Sequence, residues 1–255
     1  MAVFKAYSKY YDLLYKDKDY AAEAEYIYKL IVRYAPDASK VLELGCGTGA
    51  HAKHLARSGL VVHGVDMSEQ MLEVAARKRA LLSSELGQRL FFSHGDARTI
   101  RLDQTFDVVI SLFHVMSYQV NNNDIQAVFL TAKEHLKPGG FFIFDCWYGP
   151  AVLTDRPEVR VKYLEDKSTR VIRIAEPVMH PNLNVVDVNY TLIIKDKNTQ
   201  KVEELQETHR MRYLFEPEIR LFCSQTGFKL IKSFAWMRDN EPDFTTWSAC
   251  YVLQA

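Results

Sequence analysis

Apolar positions along the chain first recur at helical spacing. From residue 20 to about 36, Ala24, Ile27, Leu30, Ile31 and Tyr34 return to one face and Pro36 ends the run, which predicts a helix. Residues 41–44 read as a short buried strand, followed at once by Gly45-Cys46-Gly47-Thr48-Gly49. The pattern then predicts a helix over 51–58 stopped by Gly59, a strand over 60–65, and a helix over 69–82 with Ser68 as its N-cap. A third strand covers 90–93 and ends at Gly95-Asp96-Ala97. A fourth covers 106–112, and its near-continuous apolar run suits a parallel strand covered on both faces. Asn123 or Asp124 is the expected cap of the next helix, whose stripe is Ile125, Val128, Phe129, Ala132 and Leu136. Lys137-Pro138-Gly139-Gly140 reads as a stop and turn before a fifth strand at 141–145. Strands alternating with helices predict a parallel sheet.

After about residue 150 the period changes. Segments near 159–164, 169–178, 184–195 and 201–214 alternate apolar and polar residues, as an antiparallel sheet with one wet face does. Glu216-Pro217-Glu218 opens a further helix that stops at Gly227, and strands at 228–235 and 247–254 return to the first sheet. The expected organisation is therefore an α/β core with an N-terminal lid over 1–150, an antiparallel insertion over 151–215, and core completion over 216–255.

Composition narrows the partners. Lysine plus arginine equals aspartate plus glutamate, 32 each, and no basic run stands out, which argues against a nucleic-acid partner. No stretch of about 18 apolar residues or signal-peptide core is seen, so neither a membrane span nor export is expected. Cys46, Cys146, Cys223 and Cys250 are scattered without ligand spacing, which points to reduced thiols in a cytoplasmic protein and no bound metal.

The densest chemical signal is the strand–glycine loop–helix unit at 41–58. Glycines let the main chain turn sharply and let a ligand approach it closely. Asp66 follows at the tip of the second strand, where a carboxylate can hold two ribose hydroxyls, and Asp96 ends the third strand on the same edge, beside an adenine. Gly45, Gly47 and Ala50 also match the loose dinucleotide pattern. Glu43 speaks against it, because a pyrophosphate gains nothing from a second negative charge there. The third glycine, Gly49, and the acid at Asp96 likewise favour adenosylmethionine.

With these residues in view, the chain resembles the class I S-adenosylmethionine-dependent methyltransferases. VLELGCGTGAHAKHLA, GVDMSEQMLEVAARK, HGDAR, FDVVISLFHVMSY and HLKPGGFFIFD look like that family's successive motifs. The resemblance implies a Rossmann-like seven-stranded sheet with its last strand antiparallel, here carrying the inserted antiparallel sheet. It implies that Gly45, Gly47 and Gly49 pass the methionine moiety, Asp66 holds the ribose, and Asp96 with Ala97 faces the adenine. YDLLYKDKDYAAEAEYI, GCGTGAH and FDCWYGP are further similar to the N,N-dimethyltransferases of nucleotide-linked 3-amino sugars. Their carboxyl-terminal Arg-Gly-Leu-Phe stretch is replaced here by Thr246-Trp247-Ser248-Ala249-Cys250. That likeness implies that Tyr15 and Tyr20 line the site from an N-terminal lid. The expected cofactor set is Tyr15, Tyr20, Glu43, Gly45, Cys46, Gly47, Gly49, Asp66, Met67, Asp96, Ala97 and Leu112.

A sulfonium methyl is already activated, so the protein must mainly align a nucleophile with it, and no Lewis acid is required. An amine must be neutral to attack, so a base or acceptor nearby helps. His114, Tyr118 and Tyr15 are the candidates for catalysis; a phenol keeps its proton at neutral pH, so Tyr15 is expected to position rather than to abstract. Tyr118, Trp147 and Tyr148 are expected to wall the acceptor pocket. The tyrosines at 7, 10, 11, 26 and 28 read mostly as core or helix surface. The reading is a small-molecule methyltransferase with an amino-sugar nitrogen as leading acceptor, and an oxygen or another small amine behind it. A non-catalytic nucleoside-binding subunit is the alternative of another class. The insertion is expected to cover the acceptor side or to make a homodimer contact.

Overall fold

A computed structural model describes residues 10–255; Tyr7 lies outside them. Seven strands form the core: β1 (Lys40–Leu44), β2 (Val61–Asp66), β3 (Leu90–His94), β4 (Phe106–Ser111), β5 (Leu136–Tyr148), β10 (Lys229–Ala235) and β11 (Ser248–Gln254). They lie in the order β3-β2-β1-β4-β5-β11-β10, with β1 to β5 mutually parallel and β11 antiparallel to both of its neighbours. This is the Rossmann-like α/β sheet expected of the sequence.

The helices follow from apolar spacing and caps. In α2 (Tyr20–Tyr34) Asp19 accepts from the Ala22 amide, and Ala24, Ile27, Leu30 and Ile31 are buried. With α3 (Ala50–Arg57) they cover one sheet face, against Val41, Val108, Ile143 and Val252. In α4 (Glu69–Ala80) the Ser68 hydroxyl accepts from the Met71 amide. On the other face α6 (Asn122–His135) and α8 (Glu216–Thr226) enclose Phe129, Phe142, Phe144, Phe222 and Phe228. Each such ring removed from water contributes about 1.5–3 kcal/mol. Three short helices, α1 (Tyr11–Leu14), α5 (Ser84–Gly87) and α7 (Gly149–Thr154), complete the chain.

Two local expectations are corrected. The cap of α6 is Asn121, ahead of Asn123 and Asp124. Residues 137–140 do not end an element before β5; they bulge within it. Phe106 pairs with Leu136 and Val108 with Phe141, so four residues of β5 face Asp107 alone. Gly139 there has φ +77, and Lys137 ion-pairs with Asp107.

The antiparallel strands are β6 (Arg160–Glu165), β7 (Thr169–His180), β8 (Val185–Asp196) and β9 (Val202–Leu214). Asp166 and Asp196 build the tight turns, each carboxylate accepting two backbone N–H groups at 2.8 Å. The sheet is not separate from the core. Trp147 and Tyr148 of β5 pair in parallel with Tyr213 and Leu214 of β9. Since β11 holds one edge of β5 as far as Trp147 and β4 holds the other only to Phe144, β9 occupies the edge that β4 has left.

Gly64, in the middle of β2, was not singled out by the sequence pattern. A Cβ there would lie 2.7 Å from Cys46 Sγ and 2.9 Å from a Phe92 ring carbon, so the strand packs directly beneath the glycine loop. Gly64→Ala is expected to destabilise the protein by about 1–3 kcal/mol through overpacking, read by denaturant unfolding. An unchanged midpoint would show that the loop yields freely.

Candidate functional site

Where strand order reverses, between β1 and β4, a crevice opens at the carboxyl ends of the strands. The structure holds a cavity of about 450 Å³ there. Its floor is the loop after β1. Gly45 has φ +79, and a Cβ on it would fall 2.5 Å from Val115, so both backbone shape and clearance require glycine. The amides of Gly45 and Cys46 donate to Val65 O at 2.8 and 3.0 Å, fastening the loop to β2.

Acids surround this floor. Asp66 Oδ2 accepts from the Gly47 amide at 2.8 Å and Oδ1 from the Ser68 amide at 2.9 Å. Burial pushes its carboxyl up, and those two amides oppose the push. Glu43 lies below, 1% exposed, and Oε2 has no hydrogen-bond partner among the described residues. Burial and the Asp66 charge raise it to about 8. His51 stands between two acids, with Nδ1 3.7 Å from Glu43 and Nε2 2.8 Å from Glu23. Burial works against Glu23, yet His51 and Lys18 hold it at about 2. Asp96 is clamped by Arg98, whose Nε lies 3.0 Å from both carboxylate oxygens, and this pairing lowers its pKa. Arg98 also reaches Asp124 at 3.0 Å. Carboxylates gathered around the glycine loop suit a cationic ligand and disfavour a pyrophosphate. Lys78, the cation next to Thr48, is already paired with Asp12 at 2.8 Å.

Over the floor lie Tyr11, Tyr15 and Tyr20. Asp12 accepts from Thr48 at 3.1 Å, tying α1 to the glycine loop, while Tyr10 and Leu14 pack on Leu164, Val171, Leu192 and Ile194 of the antiparallel sheet. The far wall holds Phe113, His114, Tyr118, Trp147, Trp247, Arg173, Tyr190, His209 and Met211. Phe113 and His114 have φ +63 and +64, and consecutive non-glycine residues in that region cost about 1–2 kcal/mol each. The Tyr118 hydroxyl lies 2.8 Å from His209 Nδ1, and the Arg173 guanidinium sits 5.7 and 5.4 Å from the ring centres of Tyr15 and Tyr190.

Of the expected site residues, the cavity wall includes Tyr15, Tyr20, Gly45, Cys46, Gly47, Asp66, Met67, Asp96, Ala97, Leu112, His114, Tyr118 and Trp147. Three lie off it. Glu43 is beneath the loop; Gly49 is the N-cap of α3, facing Phe92; Tyr148 packs against the core beside α8. Tyr11, read as core or helix surface, is corrected to cavity wall. Residues the sequence reading missed are Arg98, Arg173, Tyr190, His209, Trp247 and Asp145, which contacts His114. Arg173 and His209 had a readable signal: each occupies an apolar phase, Arg173 beside Val171 and His209 beside Met211 and Tyr213. Among the described residues no group of three or more acids, histidines and cysteines could hold a metal.

Residues 41–140 match a family model described as a methyltransferase domain. The chain is 30% identical over 222 residues to the dTDP-3-amino-3,4,6-trideoxy-alpha-D-glucopyranose N,N-dimethyltransferase of Streptomyces venezuelae, covering 86% of this chain and 89% of that one. The crystal structure of Streptomyces venezuelae DesVI superposes with a TM-score of 0.79 at 25% identity, over 97% of both chains. An S-adenosylmethionine-dependent methyltransferase of Clostridium acetobutylicum reaches 0.80 at 20% identity, over 96% of both, which speaks to the fold.

Two outcomes test the floor. Asp66→Ala should weaken adenosylmethionine binding by about 2–3 kcal/mol in calorimetry, with Asp66→Asn losing less; unchanged affinity would remove Asp66 from the site. Glu43 makes a stability prediction. Its folded pKa, about 8, lies above the unfolded carboxyl value, so folding takes up a proton between the two and this contribution is lost as pH rises towards 8. Glu43→Gln does not titrate, so its melting temperature relative to wild type should climb from about pH 5 to pH 8. Parallel curves would show that Glu43 is ionised in the folded state.

Proposed function

Because the chain belongs to the S-adenosylmethionine-dependent methyltransferases, in the group of the amino-sugar N,N-dimethyltransferases, we propose that it N-methylates the amine of a nucleotide-linked amino sugar. The observation that carries this is the continuity of the cavity: the glycine loop, Asp66 and Asp96 share one chamber with His114, Tyr118, Trp147, Tyr190 and Arg173. A donor methyl and an acceptor can therefore meet without either crossing bulk water.

The buried acids suit a cationic cofactor. The glycine loop, Asp66, Met67, Asp96, Ala97 and Leu112 would hold it, with Tyr15 and Tyr20 closing over it. When bound, adenosylmethionine supplies a methyl on an electrophilic sulfonium and leaves as a neutral thioether, the S–C electron pair staying on sulfur. The rest falls to the chain. Trp147 and Trp247, in edge contact at 5.8 Å, wall the acceptor and keep water from competing. Arg173 brings a guanidinium to the acceptor side, where a phosphate-bearing substrate gains from it. Tyr118, fixed by His209, would position the amine. His114 would take the amine's proton. The antiparallel unit, residues 151–215, is read as the acceptor cover. Its exposed Val161, Tyr163, Val178 and Val202 offer an apolar surface for a homodimer. A reducing, cytoplasmic setting agrees with four buried free cysteines, and no described helix is long and apolar enough to cross a membrane. The neutral charge balance argues against nucleic acid as acceptor.

Tritium transfer from labelled adenosylmethionine to dTDP-linked 3-amino sugars, the free amino sugars, simple amines and catechols is the test. Label on the nucleotide-linked amine, with the free sugar much weaker, is expected. Label on an oxygen acceptor or a simple amine alone would move the substrate class, and binding without transfer to any acceptor would leave a nucleoside-binding subunit.

A further inference from the structure

We propose that Asp145 is a positioning residue for His114: its buried carboxylate pins the strained turn that carries the histidine and keeps the imidazole proton on Nδ1, leaving Nε2 as the base. The inference rests on reading His114 as the proton acceptor.

Asp145 lies near the end of β5 and is fully buried between Phe144 and Cys146. A carboxylate there needs compensation from donors or positive charge. The His114 amide points at it, 3.2 Å from each oxygen, and His114 Nδ1 lies 2.6 Å from Oδ2. The backbone contact belongs to the second of two consecutive positive-φ residues, Phe113 and His114. Histidine tolerates that region better than most residues but the Phe113 side chain gives it no support, and the carboxylate that accepts from the His114 amide anchors the pair.

The same contact sets the tautomer. A nitrogen lone pair 2.6 Å from a carboxylate oxygen would repel it, so Nδ1 must carry the proton. The contact is off the ideal hydrogen-bond axis, so much of its hold on the ring is electrostatic. Nδ1 is itself buried, whereas the side chain as a whole is 20% exposed and lines the chamber. The edge turned to the chamber is therefore the one bearing Nε2. Titratable neighbours are Asp145 beneath, Lys18 over the Phe113 ring, and the phenols of Tyr11, Tyr15, Tyr20 and Tyr118 around the cavity. Cys146 and Cys250 also feel Asp145, and burial and its charge keep both thiols protonated. Asp145 is thus the negative charge nearest the ring. As the acceptor nitrogen forms its new bond to carbon, its proton passes to Nε2. The imidazolium is held by Asp145 until Nε2 releases the proton to water.

The test combines kinetics with nitrogen-15 NMR of the histidine side chains. In the wild-type protein without ligands, His114 should show the Nδ1–H tautomer; an Nε2–H tautomer overturns the proposal outright, and this measurement does not depend on any variant folding. Asp145→Asn should lower the acceptor-saturated rate by about 10²-fold while adenosylmethionine affinity and acceptor KM stay within about threefold, and should shift His114 towards Nε2–H. Added to His114→Ala, it should lower the rate no further, because the two act as a unit. A wild-type rate in Asp145→Asn, or additive losses, would overturn the positioning role. If His114→Ala alone costs less than about tenfold, the base reading itself has failed, and the NMR result then reports separately whether Asp145 sets the tautomer.

Discussion

Strand β5 is the member on which everything else is hung. Its flanking edges are shared by three strands: β11 along one, β4 along the first part of the other, and β9 at the tip. For β9 to enter, β4 must leave, and the chain leaves through Phe113 and His114 in the left-handed region. The departing segment still serves β5, since the Ser117 hydroxyl accepts from the Trp147 amide at 2.9 Å and Asp145 accepts from His114. One exchange of neighbours thus opens a gap in the sheet, lines it with His114, Tyr118 and Trp147, and sets the antiparallel sheet over it. Buried backbone groups need partners, and here that demand and the shape of the chamber have one solution.

The lid joins the two halves. Through Asp12, α1 grips Thr48 and Lys78 beside the glycine loop; through Tyr10 and Leu14 it packs on the face of β8 that bears Leu192 and Ile194. The same face carries Tyr190 to the cavity. Both contacts sit at the rim of one cavity, so α1 links the glycine loop to the antiparallel sheet. The Lys18–Glu23–His51–Glu43 chain runs under the same closure, so a positive ligand above Glu43 favours the ionised form that burial resists.

Much of this was legible in the sequence because the period changes are strong. The helical stripe of Ala24, Ile27, Leu30 and Ile31, and the even-numbered run Val186, Val188, Leu192 and Ile194, fix their elements and buried faces directly. The cofactor side was readable because loop and strand-end residues are close in sequence to the elements that aim them. What could not be read were contacts made by distant segments. Asp145 looks like the end of an apolar strand until His114, 31 residues away, is folded against it. Tyr148 looks like Trp147's partner in the pocket, but neighbouring strand residues point to opposite faces, so only one of the two can line it. Glu43 and Gly49 were recognised as parts of the loop motif, yet their work is beneath the ligand surface, shaping charge and turn.

Phenols crowd the chamber, and their number has a chemical consequence. Burial raises Tyr11, Tyr20 and Tyr118; neighbouring phenols add to the push in Tyr11 and Tyr118, while the Tyr11 hydroxyl opposes it in Tyr20, and Tyr190 is brought to about 12. None of these oxygens is available as a phenolate at neutral pH. They act as hydroxyls that orient and as rings that exclude water, and Tyr118 is oriented in turn by His209, whose Nε2 lies 3.3 Å from Glu207. If Glu207 is ionised it can only accept, so Nε2 of His209 carries the proton and Nδ1 receives the Tyr118 hydroxyl. On the proposed reading, alignment falls to tyrosine and proton transfer to histidine, since desolvation keeps the phenols protonated. A nitrogen nucleophile aligned in a dry site needs little more than loss of one proton.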